Sequence, residues 1–115
     1  MLKKENRLST RYEYRTTRQH GAHHAGEFTY VFILQPRNYS GPARIGIVTS
    51  KKFHKNAVVR NRIKRLYREI VRENLPKISK NLWIVIQPRV KSIGKTYEEI
   101  SSDFNKILSK TSIFN

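Results

Sequence analysis

Alternating apolar positions predict the strands of this chain. In EFTYVFILQ, residues 27–35, one strand face carries Phe28, Tyr30, Phe32 and Leu34, and the other carries Thr29, Val31 and Ile33. RIGIVTS, residues 44–50, predicts a second strand, and part of GAHHAG, residues 21–26, a short edge strand. LWIVIQ, residues 82–87, is almost wholly apolar, which is typical of a central strand that is buried on both faces and parallel to a neighbour.

Capping residues predict where the helices begin. Thr10 and Glu13 form a capping box, which predicts a first helix from Arg11 to about Gln19 that stops near Gly21. Each helix needs such a cap because its first amides have no partner within the helix.

Two further helices have caps and helical spacing. Asn56 is a suitable N-cap for a second helix that extends to about Asn74. Thr96 and Glu99 form another capping box before a third helix. Its apolar stripe is Tyr97, Ile100, Phe104, Ile107 and Leu108. The whole order predicts one two-layer α+β domain with a mixed sheet over residues 1–115, a length that suits a single core.

The second helix places its cations on one face. On a helical wheel its core side carries Val59, Ile63, Leu66 and Ile70, with Tyr67 at the edge. The opposite side carries Asn61, Lys64, Arg65, Arg68 and Arg72, and Arg60 and Arg62 lie on the flanks. Such a face is either solvated and crossed by a few salt bridges or built to bind a polyanion.

The charge balance favours the polyanion. The chain has 24 Lys and Arg against 8 Asp and Glu, a formal charge of +16. Glu69 and Glu73 cannot neutralise the basic face of the helix, and the planar fork of arginine suits phosphate. Lys51, Lys52 and Lys55 add charge just before the helix N-terminus. Nucleic acid is the first expected partner, and an anionic membrane surface is the second.

The strand face with Phe28, Tyr30 and Phe32 has two interpretations. Three alternating aromatic residues are commonly part of a core. They also make a stacking platform for unpaired bases, and Tyr14 on the first helix can border the same surface.

Several classes of chemistry have no support in the sequence. Without cysteine there are no disulfides or thiolate sites, which suits a cytoplasmic protein. No run is apolar enough for a membrane span or a signal peptide. Capping and solvation explain two or three of Glu98, Glu99 and Asp103. His20, His23 and His24 in HGAHH form either a weak metal site or, as the simpler interpretation, an exposed loop. We therefore expect neither a catalytic residue nor a metal site in the protein.

AVVRNRIKRLYRE, residues 57–69, resembles the signature of the protein subunit of bacterial ribonuclease P. NRLSTRYEY, RIGIVTSKK and LWIVIQPR resemble other segments of that family, so the resemblance covers most of the chain. It implies the order α-β-β-β-α-β-α, a mixed four-stranded sheet and a left-handed βαβ crossover, whereas the general rule favours right-handed ones.

The resemblance also implies a function. The holoenzyme removes the 5′ leader of precursor tRNA, and the catalyst is its RNA subunit with bound Mg²⁺. The protein binds that RNA and holds the leader in a cleft between the sheet and the first helix. The implied partners are the RNA subunit and precursor tRNA. No membrane partner is expected, and the sequence requires no protein partner.

The resemblance assigns roles to individual residues. RNA contacts are implied for Lys51, Lys52, Arg60, Asn61, Arg62, Lys64, Arg65 and Arg68, beside Lys55 and Arg72 from the charge pattern. The leader cleft is implied for Tyr14 and Phe32, next to Phe28 and Tyr30 on the aromatic face. Arg18 lies where many members carry a second aromatic residue. Either it holds the leader by charge or cation–π contact, or the register differs there.

Three other functions remain as alternatives. A ribosomal-type protein would bind structured RNA without affecting tRNA maturation. A helix-in-groove protein would prefer a DNA duplex sequence, and a protein-only nuclease would cleave without an RNA subunit.

Overall fold

A computed structural model of the chain describes residues 2–111. The helices are α1 (Arg11–His20), α2 (Ala57–Asn74) and α3 (Tyr97–Ser109). The strands are β1 (Ala22–Ala25), β2 (Thr29–Leu34), β3 (Arg44–Ile47) and β4 (Trp83–Pro88). This element order confirms the predicted α+β class, while both ends of the predicted domain, residues 1 and 112–115, lie outside the described residues.

The four strands form one mixed sheet in the order β1-β2-β4-β3. β2 is antiparallel to β1 and to β4, and β3 is parallel to β4. The apolar run in β4 is therefore central, as predicted, and the short edge strand β1 is confirmed. The parallel pair is joined through α2, and the hand of that crossover stays a prediction from the family.

Helices α2 and α3 cover one face of the sheet and enclose the core. The core is made of branched and aromatic side chains that include Val31, Ile45, Ile84, Ile86, Ile63, Ile70, Val71, Ile100, Phe104 and Leu108. The predicted stripe of α3 is confirmed, since its members are buried apart from the half-buried Tyr97.

Tyr67 lies at the centre of this core, whereas the helical wheel placed it at the edge of the core-facing side of α2. Its ring has no exposed surface. Its hydroxyl donates to the Phe28 carbonyl at 3.1 Å and lies 2.5 Å from the Thr29 hydroxyl. These partners at the start of β2 make burial of the polar group tolerable. Burial also raises the pKa of Tyr67 to about 12.

Helix α1 packs on the opposite face of the sheet. Gly46 alternates with Ile45 and Ile47, which point towards the core, so its own Cβ position faces α1. A Cβ at Gly46 would lie 2.3 Å from a ring carbon of Tyr14. The helix can approach β3 this closely because position 46 has no side chain.

A buried carboxylate joins α1 to β3. Glu13 accepts hydrogen bonds from the amides of Ser9 at 3.0 Å and Thr10 at 2.9 Å, which confirms the capping box. Its other oxygen lies 3.0 Å from the guanidinium of Arg44. Burial by itself would raise the pKa of Glu13, but these hydrogen bonds outweigh it and lower the pKa to about 2.

A second buried carboxylate, Asp103 on α3, corrects its assignment to the solvated acids. It accepts from the amides of Glu27 at 2.8 Å and Phe28 at 2.9 Å. The carboxylate therefore holds the turn between β1 and β2 against α3, and a Cβ at Gly26 would lie 2.6 Å from it. The spacing of residues along α3 could not predict this contact, because the two donor amides lie far away in the sequence.

We expect Glu13→Gln to reduce stability in a pH-dependent way. The folded-state pKa of about 2 lies below the usual 4.5, so the ionised carboxylate stabilises the fold above about pH 4.5, and this contribution is lost as the pH falls towards 2. At neutral pH the free energy of unfolding should fall by about 1–3 kcal/mol. Chemical denaturation at several pH values measures the gap between variant and wild type, which should close in acid.

The exposed carboxylate Glu98 on α3 provides the control. Glu98→Gln should change the free energy of unfolding much less at neutral pH. A gap for Glu13→Gln that stays constant from neutral pH down to about pH 2 would contradict the role given to Glu13.

Candidate nucleic-acid interface

The exposed face of α2 is basic, as predicted. Asn61, Arg62, Arg65, Arg68 and Arg72 are exposed, and Lys64 is half-buried. Within residues 2–111, Arg72 is the member of this face that has an ion pair, 2.7 Å from Glu69. The remaining cations of this basic face thus keep their charge uncompensated by neighbouring carboxylates.

Arg60 stabilises the loop before α2, a role that the sequence did not indicate. Its guanidinium donates to the carbonyls of His54 at 2.7 Å and Lys55 at 2.9 Å. Asn56 caps the helix by accepting from the Val58 amide at 2.8 Å. Arg60 therefore fastens the loop before α2, the loop on which Lys51, Lys52 and Lys55 are exposed. These bonds hold the residues directly before α2 against its first turn.

A hollow of about 530 Å³ lies on the α1 side of the sheet. Arg18 of α1 borders it, and Tyr30 of β2 and Lys52 also line it. Arg18 thus lies beside the aromatic strand face, where cation and ring can act together on a ligand. We call this hollow the cleft.

Two cations of the cleft were missed by sequence reasoning. Arg89 and Lys91 follow β4 directly and line the same hollow. The Arg89 guanidinium lies 4.8 Å from the centre of the Tyr30 ring and donates to the Gly26 carbonyl at 2.9 Å. The sequence showed only that two basic residues follow an apolar strand, and this pattern is common on protein surfaces.

Tyr14 lies in a neighbouring hollow of about 240 Å³, together with Lys64 and Arg68 of α2. Its hydroxyl donates to the Leu8 carbonyl at 3.4 Å, and burial raises its pKa. The structure thus brings a residue predicted for the leader cleft next to residues predicted for RNA binding. Tyr14 and Arg18 are one turn apart on α1, so the two hollows follow the same side of that helix.

Phe32 is covered by a histidine that the sequence left in a loop. β1 pairs with β2 so that His23 lies opposite Phe32. The two rings are stacked, with centroids 4.7 Å apart and planes 12° apart. The centroid of the His23 ring also lies 5.3 Å from that of the Tyr30 ring. The aromatic face therefore consists of Tyr30, Phe32 and His23.

Phe28 does not belong to this face, which corrects its predicted place in the leader cleft. Only 8% of its surface is exposed, and it packs in the core with Phe104. Regular alternation fails here because β2 begins at Thr29 and the Phe28 amide is bound to Asp103. Phe28 is therefore not available for stacking on a base.

Residues 2–111 contain no group of three or more His, Asp or Glu side chains that could hold a metal ion. None of the helices described there is long and apolar enough to cross a membrane.

A sequence model of the family "Ribonuclease P" matches residues 2–112. The chain belongs to the ribonuclease P protein family. It is 32% identical to the ribonuclease P protein component of Clostridium novyi, covering 99% of this chain and 100% of that one. It is 36% identical to that of Syntrophomonas wolfei, covering 99% and 93%.

Solved structures agree with the family assignment. The RNase P protein of Staphylococcus aureus superposes with a TM-score of 0.84 at 26% identity, covering 97% of this chain and 100% of that one. The RNase P protein of Thermotoga maritima gives 0.79 at 27% identity, covering 92% and 97%. The expected α+β fold and the role of a ribonuclease P protein subunit are thereby confirmed.

Phe28→Ala and Phe32→Ala should differ in stability, because Phe28 lies in the core and Phe32 lies at the surface of the sheet. Removing the buried Phe28 leaves a cavity and should lower the free energy of unfolding by about 3–5 kcal/mol. Phe32 is half-buried beneath His23, so its removal should cost less. Urea denaturation of both variants measures the difference. Equal losses, or a larger loss for Phe32→Ala, would contradict the assignment of Phe28 to the core.

Proposed function

We propose that the protein binds the RNA subunit of ribonuclease P through the basic face of α2 and holds the 5′ leader of precursor tRNA in the cleft beside α1. In this proposal the RNA subunit, with its Mg²⁺, catalyses the hydrolysis that releases the leader. The protein supplies positive charge, an aromatic surface and a fixed distance between the two RNAs.

One observation carries this proposal: Arg68 and Lys64 of α2 border the same hollow as Tyr14 of α1. The RNA-binding helix and the side of α1 that faces the cleft are therefore adjacent. The linings of the cleft and of the Tyr14 hollow contain cations and no Asp or Glu, so a strand of RNA that passes from one to the other stays among positive charges. This continuity is what a protein that bridges catalyst and substrate requires.

The basic face of α2 has the chemistry of a phosphate surface. Arg62, Arg65 and Arg68 are exposed and have no ion pair among the described residues. Guanidinium groups bind phosphate oxygens through two parallel hydrogen bonds. Each such contact releases counterions from the RNA, so binding should weaken steeply as salt is added.

The cleft has the chemistry of a single-strand site. Tyr30 presents a ring with Arg89 over it, and Arg18, Lys52 and Lys91 line the same hollow. Aromatic rings accept the faces of unpaired bases, and flanking cations follow the backbone. Neither type of contact selects a sequence strongly, which suits leaders of varied sequence.

The placement of the carboxylates supports an RNA-based catalyst. The oxygens of Glu13 and Asp103 are occupied by backbone amides and Arg44. Glu69 is paired with Arg72, and Glu73 accepts a hydrogen bond from the Tyr97 hydroxyl. These acids support the fold and do not converge on the cleft. Mg²⁺ is thus expected on the RNA.

The decisive experiment adds the purified protein to a bacterial ribonuclease P RNA at low Mg²⁺ and measures 5′ maturation of precursor tRNA. We expect maturation with both components and none with the protein alone. A ribosomal-type RNA-binding protein would bind the RNA and leave maturation unchanged. Correct 5′ cleavage by RNA-free protein would show that catalysis does not belong to the RNA.

Arg65→Ala should weaken binding to the RNA subunit and reduce the slope of log affinity against log salt by about one, because one phosphate contact is lost. The side chain is exposed, so the melting temperature should change little. Filter binding at several salt concentrations measures the slope. Lys106→Ala, on the exposed side of α3, is the control and should leave it unchanged. A large loss of melting temperature at unchanged affinity would show that Arg65 is structural.

Arg18→Ala should weaken binding of precursor tRNA by the holoenzyme several-fold and spare mature tRNA, which has no leader. Arg15 is the matched control, since it is exposed on the same helix and does not line the cleft. Measuring both tRNAs with both variants tests the position of the cleft. Equal losses for Arg18→Ala and Arg15→Ala would indicate a general effect of charge.

A further inference from the structure

A cluster of three aromatic rings lies at the end of the sheet where β4 begins. The Tyr12 and Trp83 rings are nearly perpendicular, with centroids 6.4 Å apart, and the tilted Tyr39 ring has its centroid 6.0 Å from that of Trp83. Tyr12 is 68% exposed, and the other two rings are half-buried. None of the three belongs to the hydrophobic core. The core therefore does not account for this grouping.

Helix α1 separates the cluster from the cleft. Trp83 pairs directly with Arg44 across β4 and β3, at the end of the sheet where Glu13 meets Arg44. On α1, Tyr12 contacts Trp83 while Tyr14 lies over Gly46, so the two tyrosines occupy opposite flanks of the helix. The aromatic cluster is thus a surface of its own.

Cations continue this surface. The Arg44 guanidinium lies 4.8 Å from the centre of the Tyr39 ring. Arg44 also lines a hollow with Lys3, Lys4 and Arg7, and Glu5 is the one acid in that lining. Lys3, Lys4 and Arg7 have no ion pair among the described residues. Rings and uncompensated charge therefore lie side by side.

We propose that this surface, made of Tyr12, Trp83 and Tyr39 with the hollow of Lys3, Lys4 and Arg7, is a second binding site for single-stranded RNA. Unpaired bases stack on the rings, and the backbone phosphates lie against the cations. This site goes beyond the function proposed above, which uses the cleft, the Tyr14 hollow and the face of α2. The two surfaces adjoin at Arg7, which also lines the Tyr14 hollow.

Charge favours RNA over a protein occupant. The chain has a formal charge of +16, so a second copy would be repelled from a face that already carries unpaired cations. Accessible aromatic surface next to lysine and arginine is the combination that binds single strands with little sequence preference. A duplex keeps its bases stacked on one another and offers no free face to these rings.

Trp83 is the only tryptophan in the sequence, so its fluorescence reports on this surface directly. The full chain is titrated with an oligouridylate of about ten nucleotides, within the usual size of a single-strand site. We expect saturable quenching of Trp83 that weakens with salt. A duplex RNA of equal length should not quench it.

Variants locate the quenching. Tyr12→Ala should raise the dissociation constant from Trp83 quenching about tenfold, which corresponds to the loss of one stacked base. Tyr12→Phe, which keeps the ring, should bind like the wild type. Tyr30→Ala, in the cleft, should leave Trp83 quenching in place, which separates this site from the cleft and from the proposed function.

Three results would overturn the proposal. The first is an absence of Trp83 quenching by the single strand, and the second is quenching that Tyr12→Ala does not weaken or that Tyr30→Ala abolishes. The third is a concentration-dependent dimer in sedimentation that Tyr12→Ala disrupts and single-stranded RNA leaves intact. That result would assign the surface to self-association.

Discussion

The cations on α2 repel one another, and the buried side of the same helix is what keeps them together. Ile63, Tyr67 and Ile70 are almost completely buried beneath the basic face. Burying a side chain of this size contributes about 1.5–3 kcal/mol, whereas an exposed pair of like charges one turn apart costs about 0.2–0.5 kcal/mol. The free energy gained by burying these side chains is much larger than the cost of the charge repulsion. The helix can therefore present a surface that favours a polyanion.

The position of α1 divides the opposite face of the sheet. A glycine at position 46 admits the ring of Tyr14, and the carboxylate of Glu13 joins the helix to Arg44. With α1 held there, one flank borders the cleft and the other carries Tyr12 beside Trp83. The position of α1, to which Gly46 and the Glu13–Arg44 ion pair contribute, therefore determines which aromatic rings are accessible on each side of the helix.

Three aromatic residues that are close together in the sequence occupy different environments in this fold. Phe28 is in the core, Tyr30 lies under Arg89, and Phe32 lies under His23. What separates them is the partner that each meets: the carboxylate of Asp103 turns the chain at Phe28, and the register of β1 brings His23 over Phe32. Composition and alternation cannot distinguish these environments, because the partners come from distant segments.

Local patterns were enough to determine the helices, the central parallel strand, the basic face of α2 and the family. Caps, periodicity and charge act within a few residues, so they are present in the sequence itself. Only the tertiary structure decided that Phe28 and Tyr67 are buried and that Arg60 fastens a loop. It also decided which side chains meet in the cleft and around Trp83. These contacts join residues tens of positions apart, and they depend on strand register and on the close approach of α1, which no local pattern encodes.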